Sequence, residues 1–300
     1  MFFDLQVNGY AGVDFNSEDV SAEQLHHVCA ALKSAGVIGF LATIVTEHLP
    51  LMTQRLQNLV RLREADPLAK ALIRGFHIEG PFLSPVDGYR GAHPQDAIRP
   101  ANRDEMQGLL DAAGGLTKLV TLAPECDENL TVTKFLSGQN IRVAAGHTDA
   151  SLDQLREAMD NGLTLFTHLG NGCPMLLPRH DNIVQRALSL EQLKFTFIAD
   201  GAHIPFFALK NYLTAAGMER CAIVTDAIAP ASLGPGNYSL GRWQLTIGED
   251  MVARAPDGSH LVGAAITMPQ SAQNLREQLG FSEAEVKQLT WENPRAFVGI

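Results

Sequence analysis

Carboxylate and imidazole side chains stand at the ends of short apolar runs in this sequence. Glu79 ends the run 73–79, His147 ends 141–147 and His168 ends 163–168. One carboxylate and two imidazoles form a natural ligand set for a divalent cation, with a coordination position left open for water. Taken singly, each is more often an ordinary hydrogen-bonded residue at a strand end. Together they predict a metal site, provided that the fold brings the three runs to one place.

A second carboxylate, Asp226, ends the apolar run 221–226. A buried carboxylate needs a cation or hydrogen-bond donors to offset its desolvation, and a metal with its water would supply them. There Asp226 could take a proton from water and hand it to a leaving amine; the alternative is a carboxylate that caps a turn. His77, two residues before Glu79, is expected to face the same interior in a packing or supporting role. We assign no chemistry to the histidines in helical, loop or hairpin contexts, which are His26, His27, His48 and His260.

The elements that position these residues alternate along the chain. Eight short apolar runs that end in polar residues read as strands, and they cover 2–8, 37–46, 73–79, 119–125, 141–147, 163–168, 194–200 and 221–226. The segments between them, such as 22–32, 152–159 and 207–213, carry apolar residues at helical spacing. Ser151 and Ser282 are predicted helix N-caps. Alternation of this kind predicts parallel strands joined by right-handed helical crossovers.

We therefore predict an α/β protein with a closed (β/α)8 TIM barrel, as a single domain over 1–300. An open doubly wound sheet is the alternative, but no GxGxxG follows a strand and the polar strand ends are spread along the whole chain. The carboxyl ends of barrel strands share one rim, which would also hold Gln6, Asn8, Glu125, Asp200 and His203. Residues 238–258 read as a β-hairpin insertion with a turn at 256–258, and helices are predicted at about 268–279 and 283–290.

Composition excludes several functional classes. The 300 residues are 46% hydrophobic and 19% charged, which is typical of a globular protein. A net charge of −10 disfavours nucleic acid and anionic membranes as partners, although one arginine can still hold a single phosphate. The four cysteines lie far apart and are expected to be free thiols in a reducing cytoplasm. The sequence shows neither a signal peptide nor an apolar run of the roughly 20 residues needed to span a bilayer.

Eight sequence blocks point to a known family. In order they are DLQVNGYAGVDF at 4–15, HIEGPF at 77–82, GAHP at 91–94, AGHT at 145–148, THLGNG at 167–172, ADGAH at 199–203, VTDAIAPA at 224–231 and LVGAAITM at 261–268. Across nearly the whole chain they resemble the N-acetylglucosamine-6-phosphate deacetylases, a branch of the amidohydrolase superfamily. The resemblance implies a barrel of the metal-dependent hydrolase type. It also implies hydrolysis of the N-acetyl group of N-acetylglucosamine 6-phosphate, giving glucosamine 6-phosphate and acetate.

The resemblance also implies roles for single residues. Glu79, His147 and His168 match the family's metal ligands, Asp226 its catalytic acid and base, and His93 the histidine that helps to polarise the acetyl carbonyl. Positions that contact the substrate are matched by Gln6, Ala92, His93, Asn171, Gly172, Arg179, His203, Leu261, Val262 and Gly263, of which Asn171, Gly172, Arg179 and His203 match those that hold the sugar phosphate. Arg179 offers a planar fork of donors to a phosphate, although it could also form a surface salt bridge.

The implied cofactor is one divalent metal ion. Gln6 and Asn8 stand where many superfamily members carry His-x-His for a second cation, and amides are poor ligands beside imidazole, so we expect one metal. Zinc is our expectation, with iron or another divalent metal as the alternative. Members of the family commonly form dimers, so the resemblance implies a homodimer.

Two departures from the family pattern bear on function. The family's small β-sandwich domain is expected to be missing. The loop after His168 reads GNGCPMLLPRHDN, where relatives more often carry a tyrosine and an alanine. Because that loop touches the sugar, an unphosphorylated acetamido sugar, an isomeric sugar phosphate or another amide stays open as the substrate. A barrel that binds a sugar phosphate without turnover is a further alternative.

Overall fold

The computed structural model describes residues 1–255, 257–258 and 260–300. Eight strands form one sheet in which neighbours along the chain are neighbours in space and pair in parallel. They are β1 (Phe2–Val7), β2 (Val37–Val45), β3 (Ile73–Glu79), β4 (Thr117–Leu122), β5 (Arg142–Ala145), β6 (Leu163–Phe166), β7 (Lys194–Ile198) and β8 (Cys221–Val224). A bridge between Val7 and Ala227 joins the first strand to the segment that follows the last. The predicted (β/α)8 barrel is confirmed.

Helices follow the strands along the chain. They are α1 (Ala22–Ser34), α2 (Leu49–Ala65), α3 (Pro67–Leu72), α4 (Arg103–Ala112), α5 (Thr131–Gly138), α6 (Leu152–Asp160), α7 (Ile183–Leu188), α8 (Phe206–Ala216), α9 (Met268–Glu277), α10 (Glu283–Lys287) and α11 (Asn293–Phe297). Ser151 and Ser282 cap α6 and α10 as predicted, each in a capping box. Among the described residues, no helix is long and apolar enough to cross a bilayer.

The barrel interior is apolar at one end and polar at the other. Phe3, Leu5 and Leu41 pack with Phe297 and Val298 in one buried cluster, so that α11 and the residue after it contribute to the apolar end. Above this layer the interior becomes polar, with His77 and Thr121 fully buried. This polar layer lies directly below the carboxyl ends of the strands, where the active sites of such barrels are found.

An inserted antiparallel sheet follows β8. Its strands are β9 (Gly236–Leu240), β10 (Trp243–Ile247) and β11 (Ala253–Arg254), and Arg254 forms a further bridge with Leu261. The predicted insertion is therefore present, but with three strands where the alternation of polar and apolar residues suggested two. Pro256, the first residue of the predicted turn, lies outside the described residues. The inner face of the sheet packs against Ile228 and Val262, close to the carboxyl end of β8.

Candidate active site

Three strand ends bring Glu79, His147 and His168 together. Glu79 is the last residue of β3, and the histidines come two residues after β5 and β6. The candidate ligand atoms of all three lie within 4.8 Å of one another, and all three residues are buried. Glu79 Oε1 is 2.9 Å from His168 Nε2 and 3.6 Å from His147 Nε2. A carboxylate oxygen that faces two imidazole nitrogens is a donor set that fits one divalent cation.

The backbone is turned at these strand ends. His147, His168 and Asp226 have φ values of 51°, 33° and 51°, in the left-handed region that costs a non-glycine residue on the order of 1–3 kcal/mol. Hydrogen bonds hold two of these turns in place. The His168 backbone N–H donates to Thr196 Oγ1 at 2.8 Å, and the Ala264 N–H donates to the Asp226 carbonyl at 3.0 Å. The strands before these three residues therefore end earlier than predicted, and the three residues lie in turns at the mouth of the barrel.

The setting of His147 determines which of its nitrogens can bind a cation. Nδ1 lies 3.0 Å from the carbonyl oxygen of Tyr89, a partner that can only accept, so Nδ1 carries the proton. Nε2 is then free to act as a ligand. A Cβ added at Gly172 would lie 2.7 Å from Nδ1, and one added at Gly91 would lie 2.9 Å from Cε1. Glycine is required at both positions because the two loops press against the ring.

Two amides on the first strand and in the turn after it contact the two carboxylates of the site. Gln6 Nε2 is 3.2 Å from both Glu79 oxygens, and Asn8 Nδ2 donates to Asp226 Oδ1 at 2.7 Å. Both amide nitrogens therefore act as hydrogen-bond donors to carboxylates.

The two carboxylates ionise differently. Burial alone would raise the pKa of Glu79, but the hydrogen bonds with His147 and His168 outweigh it and hold the pKa well below its usual range. Burial raises the pKa of Asp226 to about 6, and the negative charge of Glu79 adds to this rise. His168 and the Asn8 hydrogen bond act in the opposite direction. Two carboxylates whose pKa values are shifted in opposite directions suit different tasks. Glu79 stays an anion, whereas Asp226 can take up and release a proton.

His93 faces His147 across the site. The Nε2 atoms of the two rings are 3.2 Å apart, and the rings meet edge to face with centroids separated by 4.3 Å. Burial lowers the pKa of His93 to about 3, so the ring is neutral. A neutral imidazole still offers one N–H donor at the edge of the cluster.

Comparisons with known proteins agree with this geometry. No protein-family profile matches the chain. The chain is 31% identical over 299 residues to the N-acetylglucosamine-6-phosphate deacetylase of Bacillus subtilis, an alignment that covers 99% of the chain and 74% of that protein. The chain belongs to the N-acetylglucosamine-6-phosphate deacetylase family.

Two further similarities support membership of this deacetylase family. The solved structure of a mutant Mycobacterium smegmatis deacetylase in complex with N-acetyl-D-glucosamine-6-phosphate superposes with a TM-score of 0.90 at 27% identity, covering 100% of this chain and 77% of that one. An N-acetylgalactosamine-6-phosphate deacetylase of Escherichia coli O157:H7 is 29% identical, over 100% of this chain and 77% of that protein. Deacetylases for two isomeric sugars are thus both similar to this chain.

Several residues that the sequence predicts as substrate contacts lie at the same mouth. Asn171 Nδ2 donates to the carbonyl of His168 at 3.1 Å, and Gly172 touches His147. The segment that contains Leu261, Val262 and Gly263 leads into the Ala264 bridge beside Asp226. Ala92 packs against the inserted sheet.

Two residues are not brought into the cluster. Arg179 is exposed on the loop before α7, and within the described part of the chain no hydrogen bond or ion pair is seen for it. Glu125 lies on a short 3₁₀ helix, Pro124–Cys126, where it accepts hydrogen bonds from the Thr148 hydroxyl and, at 2.8 Å, from the Asp149 N–H. Its carboxylate thus holds the loop after His147 in place. The sequence predicted only that Glu125 lies on the rim, because it ends an apolar run, and did not indicate this contact.

The sequence did not indicate two hydrogen-bonded pairings. His77 Nε2 lies 2.8 Å from Thr121 Oγ1, which in turn lies 2.7 Å from Thr167 Oγ1, so a buried chain crosses the barrel below the ligands. His203 Nδ1 lies 2.6 Å from Asp200 Oδ2. The spacing could have predicted the second pair only, because an aspartate and a histidine three residues later can form a side-chain hydrogen bond within one turn.

Proposed function

We propose that this chain is a metal-dependent hydrolase that removes the N-acetyl group of N-acetylglucosamine 6-phosphate, giving glucosamine 6-phosphate and acetate. Family membership supports the reaction. The observation that carries the proposal for this chain is the convergence of Glu79, His147 and His168 within 4.8 Å, in a barrel mouth that also holds Asp226.

We propose Glu79, His147 and His168 as the ligands of one divalent cation. A ligating nitrogen or carboxylate must be deprotonated at the atom that contacts the metal. His147 meets this condition because its proton is on Nδ1, which leaves Nε2 bare, and Glu79 meets it because it is ionised. Such a cation supplies Lewis acidity and makes a bound water more acidic. We propose zinc, with iron or another divalent metal as the alternative, because this donor set accepts several.

In this proposal Asp226 carries out the proton transfers and His93 stabilises the developing negative charge. Asp226 accepts a proton from the water whose oxygen attacks the acetyl carbon. His93, neutral and at the edge of the cluster, donates its N–H to the carbonyl oxygen as negative charge develops there. When the C–N bond breaks, Asp226 returns the proton to the amine. The products are acetate and a free amino sugar, and Asp226 is again ionised.

The remaining residues would hold the sugar phosphate. We propose Gln6, Ala92, His93, Asn171, Gly172, His203 and Leu261 to Gly263 as contacts around the mouth, with Arg179 meeting the phosphate from its exposed loop. The same loop carries Met175 and Leu176, which are 100% and 92% exposed. Exposed apolar side chains of this kind support a homodimer, which sedimentation would test. Four free cysteines fit a reducing, cytoplasmic location.

An isomeric sugar phosphate is the second candidate substrate. The loop after His168 departs from the family pattern, and one relative is named for the galactosamine isomer. Acetate release should be measured on N-acetylglucosamine 6-phosphate, on its galactosamine isomer and on unphosphorylated N-acetylglucosamine, together with elemental analysis of the purified protein. Ligand binding without acetate release at full metal loading would instead favour a non-catalytic barrel.

A further inference from the structure

Asp200 and His203 form a closed unit at the carboxyl end of β7. The Asp200 Oδ1 atom accepts the backbone N–H groups of Ala202 and His203, each at 2.9 Å. Its other oxygen, Oδ2, lies 2.6 Å from His203 Nδ1. The side chains are 14% and 8% exposed, so solvent competes little for these bonds. One carboxylate therefore fixes both the turn and the orientation of the imidazole that follows it.

The register of the barrel places this unit beside the candidate acid and base. Strand β7 pairs in parallel with β8, and Ile198 lies opposite Val224. Asp200 and Asp226 each come two residues later, so they stand level on neighbouring strand ends. The charge of His203 lowers the pKa of Asp226, which places the imidazole within electrostatic reach of the reacting groups.

The pairing determines what the imidazole can offer. Burial would raise the pKa of Asp200, but the hydrogen bond with His203 outweighs it and lowers the pKa, so the carboxylate is ionised. An ionised carboxylate can only accept, so His203 Nδ1 carries a proton. No group in the described part of the chain is seen to bond Nε2. A ring placed between this carboxylate and a second anion can donate a hydrogen bond to each of them, one from each nitrogen.

An anionic substrate needs such a group at this mouth. Glu79 and Asp226 would both repel a phosphate, and the chain as a whole carries −10. Arg179 lies exposed on its loop, whereas His203 is anchored within the barrel rim. The donor group whose position is fixed before the substrate arrives is therefore the His203 imidazole, held by Asp200.

We propose that Asp200 is a positioning residue for phosphate recognition: it holds Nδ1–H of His203, so that Nε2–H donates to a phosphate oxygen of the substrate. This inference rests on the proposed function, because it takes the substrate to be an amino sugar phosphate. It gives Asp200 no part in bond breaking.

The test compares Asp200→Asn with the wild-type holoenzyme on phosphorylated and plain N-acetylglucosamine. The amide keeps the size of the side chain and loses its charge. We expect KM for the sugar phosphate to rise about tenfold or more, with kcat and the KM for the plain sugar changing by less than about threefold. Asp66→Asn is the matched control, because Asp66 also bonds a histidine, with His26 Nδ1 at 2.8 Å, but at the junction of α2 and α3 and not among the residues of the candidate site.

A double-mutant cycle separates positioning from general damage. Adding Asp200→Asn to His203→Gln should raise KM for the sugar phosphate no further, because the first change acts through the second residue. Equal losses on both sugars, or KM effects that multiply in the double variant, would refute the inference.

Two measurements keep the inference separate from the proposed function. Calorimetry with glucosamine 6-phosphate needs no turnover, and about tenfold weaker binding to Asp200→Asn supports the inference, whereas equal binding overturns it. Imidazole ¹⁵N shifts, with the His203 signal assigned by its loss in His203→Gln, report whether Nδ1 carries the proton in the wild type and loses its carboxylate partner in the variant. An inactive wild-type enzyme would overturn the proposed function alone.

Discussion

Gln6 Nε2 stands 3.2 Å from both oxygens of Glu79. The amide therefore occupies the side of the carboxylate that faces β1, while Oε1 also faces the two histidines. Partners of this kind, bonded to a ligand and not to the metal, orient the ligand and tune its basicity.

Removing this donor should weaken metal binding. In Gln6→Leu, Glu79 loses its fixed orientation, and we expect metal affinity to fall by about 10- to 100-fold. Competition with a chromophoric chelator would measure it. Gln273→Leu is the matched control, because Gln273 also donates to a carboxylate, Glu277 at 3.0 Å, on an exposed helix face. Unchanged affinity in Gln6→Leu would show that Glu79 is held without the amide.

A methyl group beside His147 should displace the ring. In Gly172→Ala the new Cβ would lie 2.7 Å from Nδ1, at a φ of +59° that disfavours alanine. We expect metal content to drop and activity to fall by about 100-fold or more, since ligand geometry tolerates errors of only about 0.5 Å. Elemental analysis and acetate release would measure these effects.

Gly108→Ala provides the control for that substitution. Gly108 lies in α4 with nothing within 4 Å of an added Cβ. Alanine there should leave metal content unchanged and stabilise the fold by about 0.5–1 kcal/mol, because it reduces the entropy of the unfolded chain. A Gly172→Ala enzyme with full metal content would mean that the loop can move away from His147.

Strand ends could be predicted from the sequence, but contacts between loops could not. Polar residues that follow apolar runs place Glu79, His147 and His168 on one rim, because parallel strands of a barrel all end there. The Tyr89 carbonyl that sets the proton of His147 could not be foreseen, because loop conformation has no period to follow. Arg242, on the turn between β9 and β10, is bound to Glu47 and, at 3.0 Å, to Asp96. These contacts could not be predicted either, because they depend on how the inserted sheet folds back onto the barrel.

Asp226 should be required for turnover but not for metal binding. Asp226→Asn keeps the size of the side chain and can still meet Asn8, but it cannot accept a proton from water. We expect kcat to fall by about 10²- to 10⁴-fold while metal content stays at the wild-type level. Acetate release and elemental analysis on the same preparation would decide, and an active variant would remove Asp226 from the proton transfers.

Asp4 should make stability depend on pH. Burial raises the pKa of Asp4 from 3.8 to about 7, although hydrogen bonds from Thr225 and from the backbone of Gln6 and Thr225 oppose the rise. At pH values between 3.8 and about 7, the folded protein therefore retains a proton on Asp4 that the unfolded chain has lost. The stabilising contribution is complete below pH 3.8 and is lost as the pH rises through 7, with a slope of at most about 1.4 kcal/mol per pH unit.

Asp4→Asn should remove this dependence. The amide stays neutral at every pH, so the free energy of unfolding of the variant, relative to the wild type, should increase between pH 5 and pH 8, as urea midpoints would show. Asp250→Asn, an exposed carboxylate whose pKa is lowered by its hydrogen bond with Arg254, should show no such increase over this interval. A constant difference between Asp4→Asn and the wild type across the interval would mean that Asp4 is ionised in the folded protein, held by the backbone N–H of Gln6 on its own strand and by the hydroxyl and backbone N–H of Thr225, which follows β8.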